Sequence, residues 1–162
     1  MIPDSLFRAL YPSAFHAMSA ASVAVWIERI KVRWGDMDAL GHVNNAEYFR
    51  YMEQARVAWL EAIGVPMVED GKGPVIVKAT CEFLKPIVYP ATIAITLKIE
   101  RVGTSSITVS HEFSPEDEAT VCYARGKAVI VYVDHARGES APLPAAILHR
   151  LREGLRSPPA RR

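Results

Sequence analysis

A single long amphipathic helix is the feature that most limits how this chain can fold. Between residues 45 and 63, apolar side chains recur every three or four positions, at Tyr48, Met52, Ala55, Trp59 and Ile63. Asn44 is placed to cap the first turn, with Glu47 three residues later as in a capping box, and Gly64 and Pro66 follow the last turn. The pattern predicts a helix of about five turns with both ends marked.

Strand-like segments account for most of the remaining sequence. Residues 92–100 alternate most regularly, with large aliphatic side chains on one face at Ile93, Ile95, Leu97 and Ile99. Further strand-like runs occupy residues 25–32, 75–84, 104–114 and 119–133. A sheet with one apolar face needs a cover, and the predicted helix is long enough to provide it. The sequence therefore predicts an α+β protein, the hotdog fold, in which a curved five-stranded antiparallel sheet wraps one long helix.

The length of the chain suits one domain with one hydrophobic core. It has 162 residues, of which 50% are hydrophobic. We predict that the domain spans residues 25–148. Residues 1–24 are predicted to be an N-terminal extension, either disordered or the product of an upstream start, because Met18 lies shortly before the first strand. Residues 149–162 are predicted to be the end of a short final helix and an Arg/Pro-rich tail.

Charge and cysteine content exclude some classes of partner. Lys and Arg number 19 against 18 Asp and Glu, so we expect no nucleic-acid partner. No apolar run reaches the roughly 18 to 20 residues that a membrane span needs, and we expect a cytoplasmic protein. Cys81 and Cys122 lie in strand-like sequence without a Cys-x-x-Cys spacing or a nearby histidine pair. Two reduced thiols and no metal site are predicted.

The segment before the long helix concentrates groups that can carry chemistry. Residues 33–49 hold the carboxylates of Asp36 and Asp38, a histidine, glycines and two asparagines. The first N–H groups of a helix lack intrahelical acceptors and can polarise a carbonyl oxygen, while a carboxylate nearby can attack it or deprotonate water. Asp and Asn before a helix are equally typical of turns and caps. These residues alone therefore leave both interpretations open.

The same segment resembles a known family signature. The run Trp34-Gly35-Asp36-Met37-Asp38-Ala39-Leu40-Gly41-His42-Val43-Asn44-Asn45, continued by Tyr48-Phe49-Arg50-Tyr51, looks like that of the 4-hydroxybenzoyl-CoA thioesterase-like branch of hotdog proteins. A weaker resemblance extends through residues 83–86 and 127–134 and covers about residues 25–148. Pro90-Ala91 departs from the Gly-Asp that relatives often carry, which affects a turn and the placement within the family.

This resemblance implies a function and roles for residues. It implies an acyl-CoA thioesterase that cleaves an acyl- or aroyl-CoA to free acid and CoA. Asp38 would be the catalytic nucleophile or general base, and the backbone N–H of Asn45 would polarise the carbonyl. Coenzyme A is part of the substrate, so no cofactor is expected. The resemblance also implies a homodimer, with the site at the junction of two subunits, or a homotetramer.

Other residues of the segment have supporting or alternative roles. The predicted pocket or supporting residues are Asp36, Gly41, His42, Val43, Asn44, Tyr48 and Glu53. Asp36 suits an ordered turn, and Tyr48 suits either the acyl pocket or the core. Glu53 is a rival catalytic carboxylate, because related branches place theirs on the central helix. His111 shares a strand face with apolar residues and is predicted to be a semi-buried packing residue.

Two other functions remain compatible with the sequence. An enoyl-CoA hydratase would need a carboxylate and a histidine acting together, for which Asp38 and His42 are the candidates. A non-catalytic acyl-CoA-binding module is the other, because a fold does not fix an activity. Loss of crotonyl-CoA absorbance without thiol release would identify the hydratase. Binding without turnover would identify the module.

Overall fold

The computed structural model describes residues 24–154 and 160–161. The predicted extension, residues 1–24, lies outside this part except for its last residue. Two helices are described, α1 (Asn45–Ala62) and α2 (Ala145–Gly154). The strands are β1 (Ala24–Lys31), β2 (Lys72–Phe83), β3 (Thr92–Val102), β4 (Ser106–Pro115), β5 (Ala124–Asp134), β6 (Glu139–Ser140) and β7 (Ala160–Arg161).

The strands form one sheet, in the order β2-β5-β4-β3-β1-β7, with β6 beside β5. The five long strands pair antiparallel, and the two-residue β7 pairs parallel with β1. The sheet covers one side of α1, as the hotdog fold requires. The predicted α+β fold with five long strands is confirmed. The strands β6 and β7 were not predicted, because two residues are too short to show an alternating pattern.

The core lies between α1 and the face of the sheet that it covers. Tyr48, Met52, Ala55 and Trp59 are buried, as the helical spacing predicts. The end of α1 that carries Trp59 meets apolar side chains of β3, β4, β5 and α2, including Ile147 and Leu151, together with Leu143 just before α2. Full burial of such side chains stabilises a fold by about 1.5–3 kcal/mol each. The helix α2 therefore closes this end of the core.

The Met52 side chain of α1 packs directly on Gly126 of β5. A Cβ atom built on Gly126 would lie 2.5 Å from the Met52 sulfur, which is closer than two such atoms can pack. Ala124 and Ala128 are the buried neighbours of Gly126 on the same strand face. Small residues on this face of β5 therefore leave room for the Met52 side chain.

The strand β2 forms one border of the sheet and is largely exposed. It pairs with β5 along one side, and the sheet order ends there. Its exposed apolar side chains include Ile76 (43%), Val77 (59%) and Phe83 (39%). Exposed apolar residues on an edge strand are typical of a surface that another chain covers.

Several details differ from the sequence predictions, among them the start of β2 at Lys72, three residues early, and of β4 at Ser106, two residues late. The helix α1 ends at Ala62, one residue early, and the capping box is absent because the Glu47 carboxylate lies near Arg33 (3.8 Å) and Arg50 (3.9 Å). Strand β5 begins at Ala124, not at residue 119, because turns occupy the preceding residues.

Candidate active site

The segment between β1 and α1 folds into a miniature hairpin. A short 3-10 turn, Trp34–Asp36, precedes it, and Met37 then pairs antiparallel with Val43. The Asp38 N–H donates to the His42 carbonyl (3.0 Å), and the Gly41 N–H donates back to the Asp38 carbonyl (3.0 Å). Gly41 has a φ of +79°, a conformation that glycine adopts without strain. This hairpin fixes the backbone of Asp38 close to the start of the helix.

Asp36 ties the hairpin to both neighbouring elements. Its carboxylate accepts hydrogen bonds from the Arg33 backbone N–H (2.8 Å), Arg33 Nε (2.9 Å) and the Tyr51 hydroxyl (2.7 Å). Its carbonyl accepts the Asn44 N–H (2.9 Å). The side chain is only 3% exposed. The Asp36 carboxylate is therefore occupied by donors from the protein itself. We expect this of a residue that supports the site and does not contact the substrate.

The ionisation of Asp36 follows from this setting. Burial raises the pKa of the Asp36 carboxyl, but hydrogen bonds from Arg33 and Tyr51 and the charge of Arg33 outweigh burial, so that the pKa lies below its ordinary value. Burial and the Asp36 carboxylate both raise the pKa of the Tyr51 hydroxyl. Asp36 is therefore an anion, and Tyr51 is a neutral donor to it, at neutral pH.

Asp38 has a different environment two residues later. Its Oδ1 accepts the Leu40 N–H at 2.8 Å, and its Oδ2 lies 3.3 Å from the Asn44 side-chain nitrogen, which donates to it. The side chain is half-buried and is not part of an ion pair among the described residues. A carboxylate with solvent access and few partners can still receive a proton or contact a ligand.

Asn44 joins Asp38 to the helix. Its side-chain oxygen accepts the Ala46 N–H at 2.9 Å and caps α1, as predicted, while its nitrogen donates to Asp38. The backbone N–H of Asn45, at the first position of α1, has no hydrogen-bond acceptor among the described residues. A single asparagine side chain thus holds the carboxylate beside a helix start with a free donor.

His42 and Val43 occupy the second strand of the miniature hairpin. The His42 Nδ1 lies 3.4 Å from the Val43 carbonyl oxygen, and no hydrogen bond joins its ring to Asp38 in the described part of the chain. Val43 is buried and donates its N–H to the Ile87 carbonyl (2.8 Å). The structure therefore brings His42 into the segment without joining its ring to the Asp38 carboxylate.

The two predicted residues on the helix have contrasting surroundings. Tyr48 is 3% exposed and packs edge-on against Phe83 with ring centroids 5.0 Å apart. Burial raises the pKa of its hydroxyl to about 12. Glu53 is exposed and lines an open groove of about 620 Å³ between β1 and α1. Tyr48 is thus a core residue here, and Glu53 lies apart from the Asp38 hydrogen bonds.

Exposed apolar side chains occur next to the polar network. Leu40 is 78% exposed and Trp34 75%, and both belong to the same segment as Asp38. Tyr89 (42%) follows Ile87 and donates its N–H to the Met37 sulfur at 3.3 Å. Such a group of exposed apolar residues beside a carboxylate suits an apolar ligand or a covering chain.

Sequence reasoning missed Arg33 and Tyr51 as partners of Asp36. Arg33 could have been suspected from its position three residues before Asp36. Tyr51 gave no separate signal, because a tyrosine at this helical spacing is typical of an ordinary core position.

The described residues contain no group of three or more His, Cys, Asp or Glu side chains placed to hold a metal ion. Within the same part of the chain, neither helix is long and apolar enough to cross a membrane.

Comparisons with known proteins agree with the fold and with the segment. Residues 32–151 match the family model described as the thioesterase-like superfamily. The PA2801 protein of Pseudomonas aeruginosa is 40% identical, with a TM-score of 0.74 over 79% of this chain and 98% of its own. A Thermus thermophilus thioesterase, solved with coenzyme A and Zn, is 32% identical, with a TM-score of 0.72 over 83% of this chain and 97% of its own. A protein of Aquifex aeolicus is 31% identical over 79% of this chain and 98% of its own.

The sheet and the helix that it wraps define the class of protein, a hotdog-fold protein. The match over residues 32–151 then gives the family, and the chain belongs to the thioesterase-like superfamily.

Proposed function

We propose that this protein hydrolyses the thioester of an acyl- or aroyl-CoA to a free acid and CoA, with Asp38 as the catalytic carboxylate. One observation carries the proposal. The Asn44 side chain donates to Asp38 Oδ2 and also caps α1, so the carboxylate and the helix start are held as one unit. Thioester hydrolysis needs a nucleophile or base and a donor to the carbonyl oxygen.

The chemistry assigns a separate task to each group. The Asn45 N–H donates to the thioester oxygen, where negative charge grows as the carbonyl carbon becomes tetrahedral, and the helix dipole favours that charge. Asp38 either takes a proton from water, whose oxygen then attacks the carbon, or attacks the carbon itself to form a mixed anhydride. In both routes the C–S bond breaks and the CoA thiolate leaves. In the second route, water then hydrolyses the anhydride and regenerates Asp38.

The substrate assignment has two supports. The exposed apolar side chains of Trp34, Leu40 and Tyr89 lie in or beside the segment that holds Asp38 and suit an acyl group. The related thioesterase from Thermus thermophilus was solved with coenzyme A. A hydratase is less well supported, because it needs a histidine acting with the carboxylate, and the His42 ring has no hydrogen bond to the Asp38 carboxylate among the described residues.

Self-association is part of the proposal. The exposed apolar residues of β2, Ile76, Val77 and Phe83, lie on an edge strand that a second copy can extend. We expect a homodimer, or a tetramer of two dimers. In sedimentation experiments the wild type should behave as a dimer or a larger assembly. Val77→Lys should sediment as a monomer. A monomeric wild type would contradict this part.

Both cysteines are free thiols, which suits the cytoplasm.

The test is release of CoA thiol from a panel of short, long and aromatic acyl-CoAs. We expect wild-type turnover of at least one substrate and a fall in kcat of about 100- to 10,000-fold in Asp38→Asn, with an unchanged Tm. Glu53→Gln is the matched control and should retain activity. Loss of activity in Glu53→Gln, but not in Asp38→Asn, would move the catalytic role to Glu53. If the wild type releases no thiol, binding and crotonyl-CoA absorbance would decide between a binding module and a hydratase.

A further inference from the structure

The miniature hairpin is attached to the rest of the protein on both of its sides. On its second strand, the Val43 N–H donates to the Ile87 carbonyl (2.8 Å). Just ahead of its first strand, the Asp36 carboxylate accepts a hydrogen bond from the Tyr51 hydroxyl (2.7 Å). Tyr51 lies in the second turn of α1, 15 residues after Asp36. The hydrogen bond between Tyr51 and Asp36 therefore joins the entry of the hairpin to the helix.

Arg33 also binds Asp36, but its hydrogen bonds stay within the segment. Its backbone N–H and its Nε donate to the carboxylate of a residue only three positions later. The contact of Arg33 with Glu47 of α1 is longer, at 3.8 Å, and the Arg33 side chain is 71% exposed. Among the described residues, Tyr51 is thus the member of α1 whose side chain donates a hydrogen bond to Asp36.

The surroundings of this hydrogen bond make it strong. Tyr51 is 4% exposed and Asp36 3%, so water competes little for either group. The Asp36 carboxyl is ionised because its pKa is lowered, and a hydrogen bond to a charged acceptor is roughly twice as strong as one between neutral groups. Loss of the Tyr51 hydroxyl would therefore remove a substantial link between the hairpin and α1.

The link continues from Asp36 to Asp38 through Asn44. The Asp36 carbonyl accepts the Asn44 N–H (2.9 Å), and the Asn44 side chain donates to Asp38 Oδ2 (3.3 Å). A shift of Asp36 relative to α1 would therefore move the residue that holds Asp38. The Asn45 N–H belongs to α1 itself. The same shift would change the distance between the carboxylate and the donor that the proposed hydrolysis requires.

We propose that Tyr51 is a positioning residue, which holds Asp38 at the required distance from the start of α1 by way of Asp36 and Asn44. This inference rests on the proposed thioesterase function. Tyr51 takes no part in the reaction itself. Misplacing a reacting group by about 1 Å can cost about 100-fold in rate. Loss of the Tyr51 hydroxyl should therefore lower kcat more than it changes KM.

Thiol release by Tyr51→Phe tests the inference. We expect kcat to fall about 10- to 100-fold, with a KM within about twofold of the wild-type value. Tyr132→Phe is the matched control, because it removes a hydroxyl from a tyrosine that is 5% exposed and belongs to the same core cluster as Trp59. This control should keep the wild-type kcat. A wild-type kcat in Tyr51→Phe would overturn the inference.

A double variant tests the route through Asp36. Asp36→Asn weakens the acceptor of the Tyr51 hydroxyl, so adding Tyr51→Phe to it should lower kcat by a smaller factor than in the wild type. Equal factors in the two backgrounds would show that Tyr51 acts independently of Asp36, which contradicts the proposed route.

Hydrogen exchange gives a readout that does not depend on activity. The N–H groups of Asp38 and Asn44 are hydrogen-bonded across the hairpin and should exchange about tenfold faster in Tyr51→Phe. Leu151→Ala should leave both rates unchanged, because it destabilises the other end of α1 and these rates report local opening of the hairpin. Unchanged exchange in Tyr51→Phe would overturn the inference. If the wild type releases no thiol, the proposed function fails, and the exchange rates still decide whether Tyr51 holds the hairpin.

Discussion

The two ends of α1 have opposite environments. At the C-terminal end, Trp59 and Leu60 are buried against the sheet and against apolar residues of α2. At the N-terminal end the helix meets the miniature hairpin, where Asp38 is half-buried and Leu40 is 78% exposed. Both ends bury apolar side chains, including Tyr48 near the N-terminus, but only the N-terminal end borders a half-buried carboxylate. We call the C-terminal end closed and the N-terminal end open. We infer that the closed end supplies stability, which allows the open end to keep a carboxylate with few partners.

The largest stability effect is expected at the closed end. Leu151→Ala removes a side chain that is 1% exposed and should lower the free energy of unfolding by about 2–5 kcal/mol. The kcat of the folded fraction should stay close to that of the wild type, in contrast to Asp38→Asn. Urea unfolding and thiol release measure the two quantities. Leu148→Ala, on the same helix but only partly buried, is the control with a smaller loss.

The next effect concerns Asp36, which belongs to the open end but is buried. Asp36→Asn should lower the free energy of unfolding by about 2 kcal/mol at pH 7, because it weakens the contacts of Arg33 and Tyr51. The lowered pKa of Asp36 sets the pH dependence: its stabilisation is complete above the unfolded pKa of about 3.9 and is lost as the pH falls through the folded value. The difference between wild type and variant should therefore shrink in acid. A constant difference from pH 7 to pH 2 would contradict this assignment.

A smaller effect is expected for Tyr51→Phe, which removes only the hydroxyl that donates to Asp36 at 2.7 Å. We expect a loss of about 1–2 kcal/mol from the free energy of unfolding, since the hydrogen bond ends on a charged acceptor. Chemical denaturation of wild type, Tyr51→Phe and the double variant with Asp36→Asn measures the coupling. Additive losses would show that the two side chains do not act together.

The smallest change in stability is expected for variants of Asn44, which both caps α1 and donates to Asp38. Asn44→Ala loses the cap and the donor to Asp38, which should cost about 1 kcal/mol of stability and reduce kcat. Asn44→Ser keeps a capping oxygen on a side chain too short to donate to Asp38, so its Tm should stay near that of the wild type while its kcat falls. Equal kcat in Asn44→Ser and wild type would remove Asn44 from the positioning of Asp38.

The sequence predicts the fold better than it predicts side-chain contacts. The helix 45–62 and the strand 92–102 could be predicted because their buried positions recur at a regular spacing. That spacing is visible in the sequence as a pattern of apolar and polar residues. The partners of Asp36 do not, because Tyr51 reaches it across 15 positions and its hydroxyl leaves no trace in an apolar pattern. Glu47 shows the same limit, since the predicted capping box is absent and Arg33 and Arg50 lie near its carboxylate.

For the candidate site, too, local features could be predicted from the sequence and contacts between distant residues could not. Asn44 as a cap could be predicted because capping is local, and it is confirmed. His111 was predicted to be a semi-buried packing residue, and the structure buries it at 1% exposure, because the depth of burial depends on the helix packed over the sheet and not on the strand pattern alone. Catalysis by Asp38 stays a prediction, because it rests on a resemblance and on a geometry that only activity measurements test.

The miniature hairpin has a consequence for attempts to alter this protein. Its two strands are joined by hydrogen bonds between Asp38 and His42 and between Asp36 and Asn44, and both ends are anchored to neighbouring elements. One inserted residue would move either Asp38 or Asn44 out of register and separate them. Directed evolution can therefore vary the side chains at its exposed positions, such as Leu40, while selection should reject almost every change in its length.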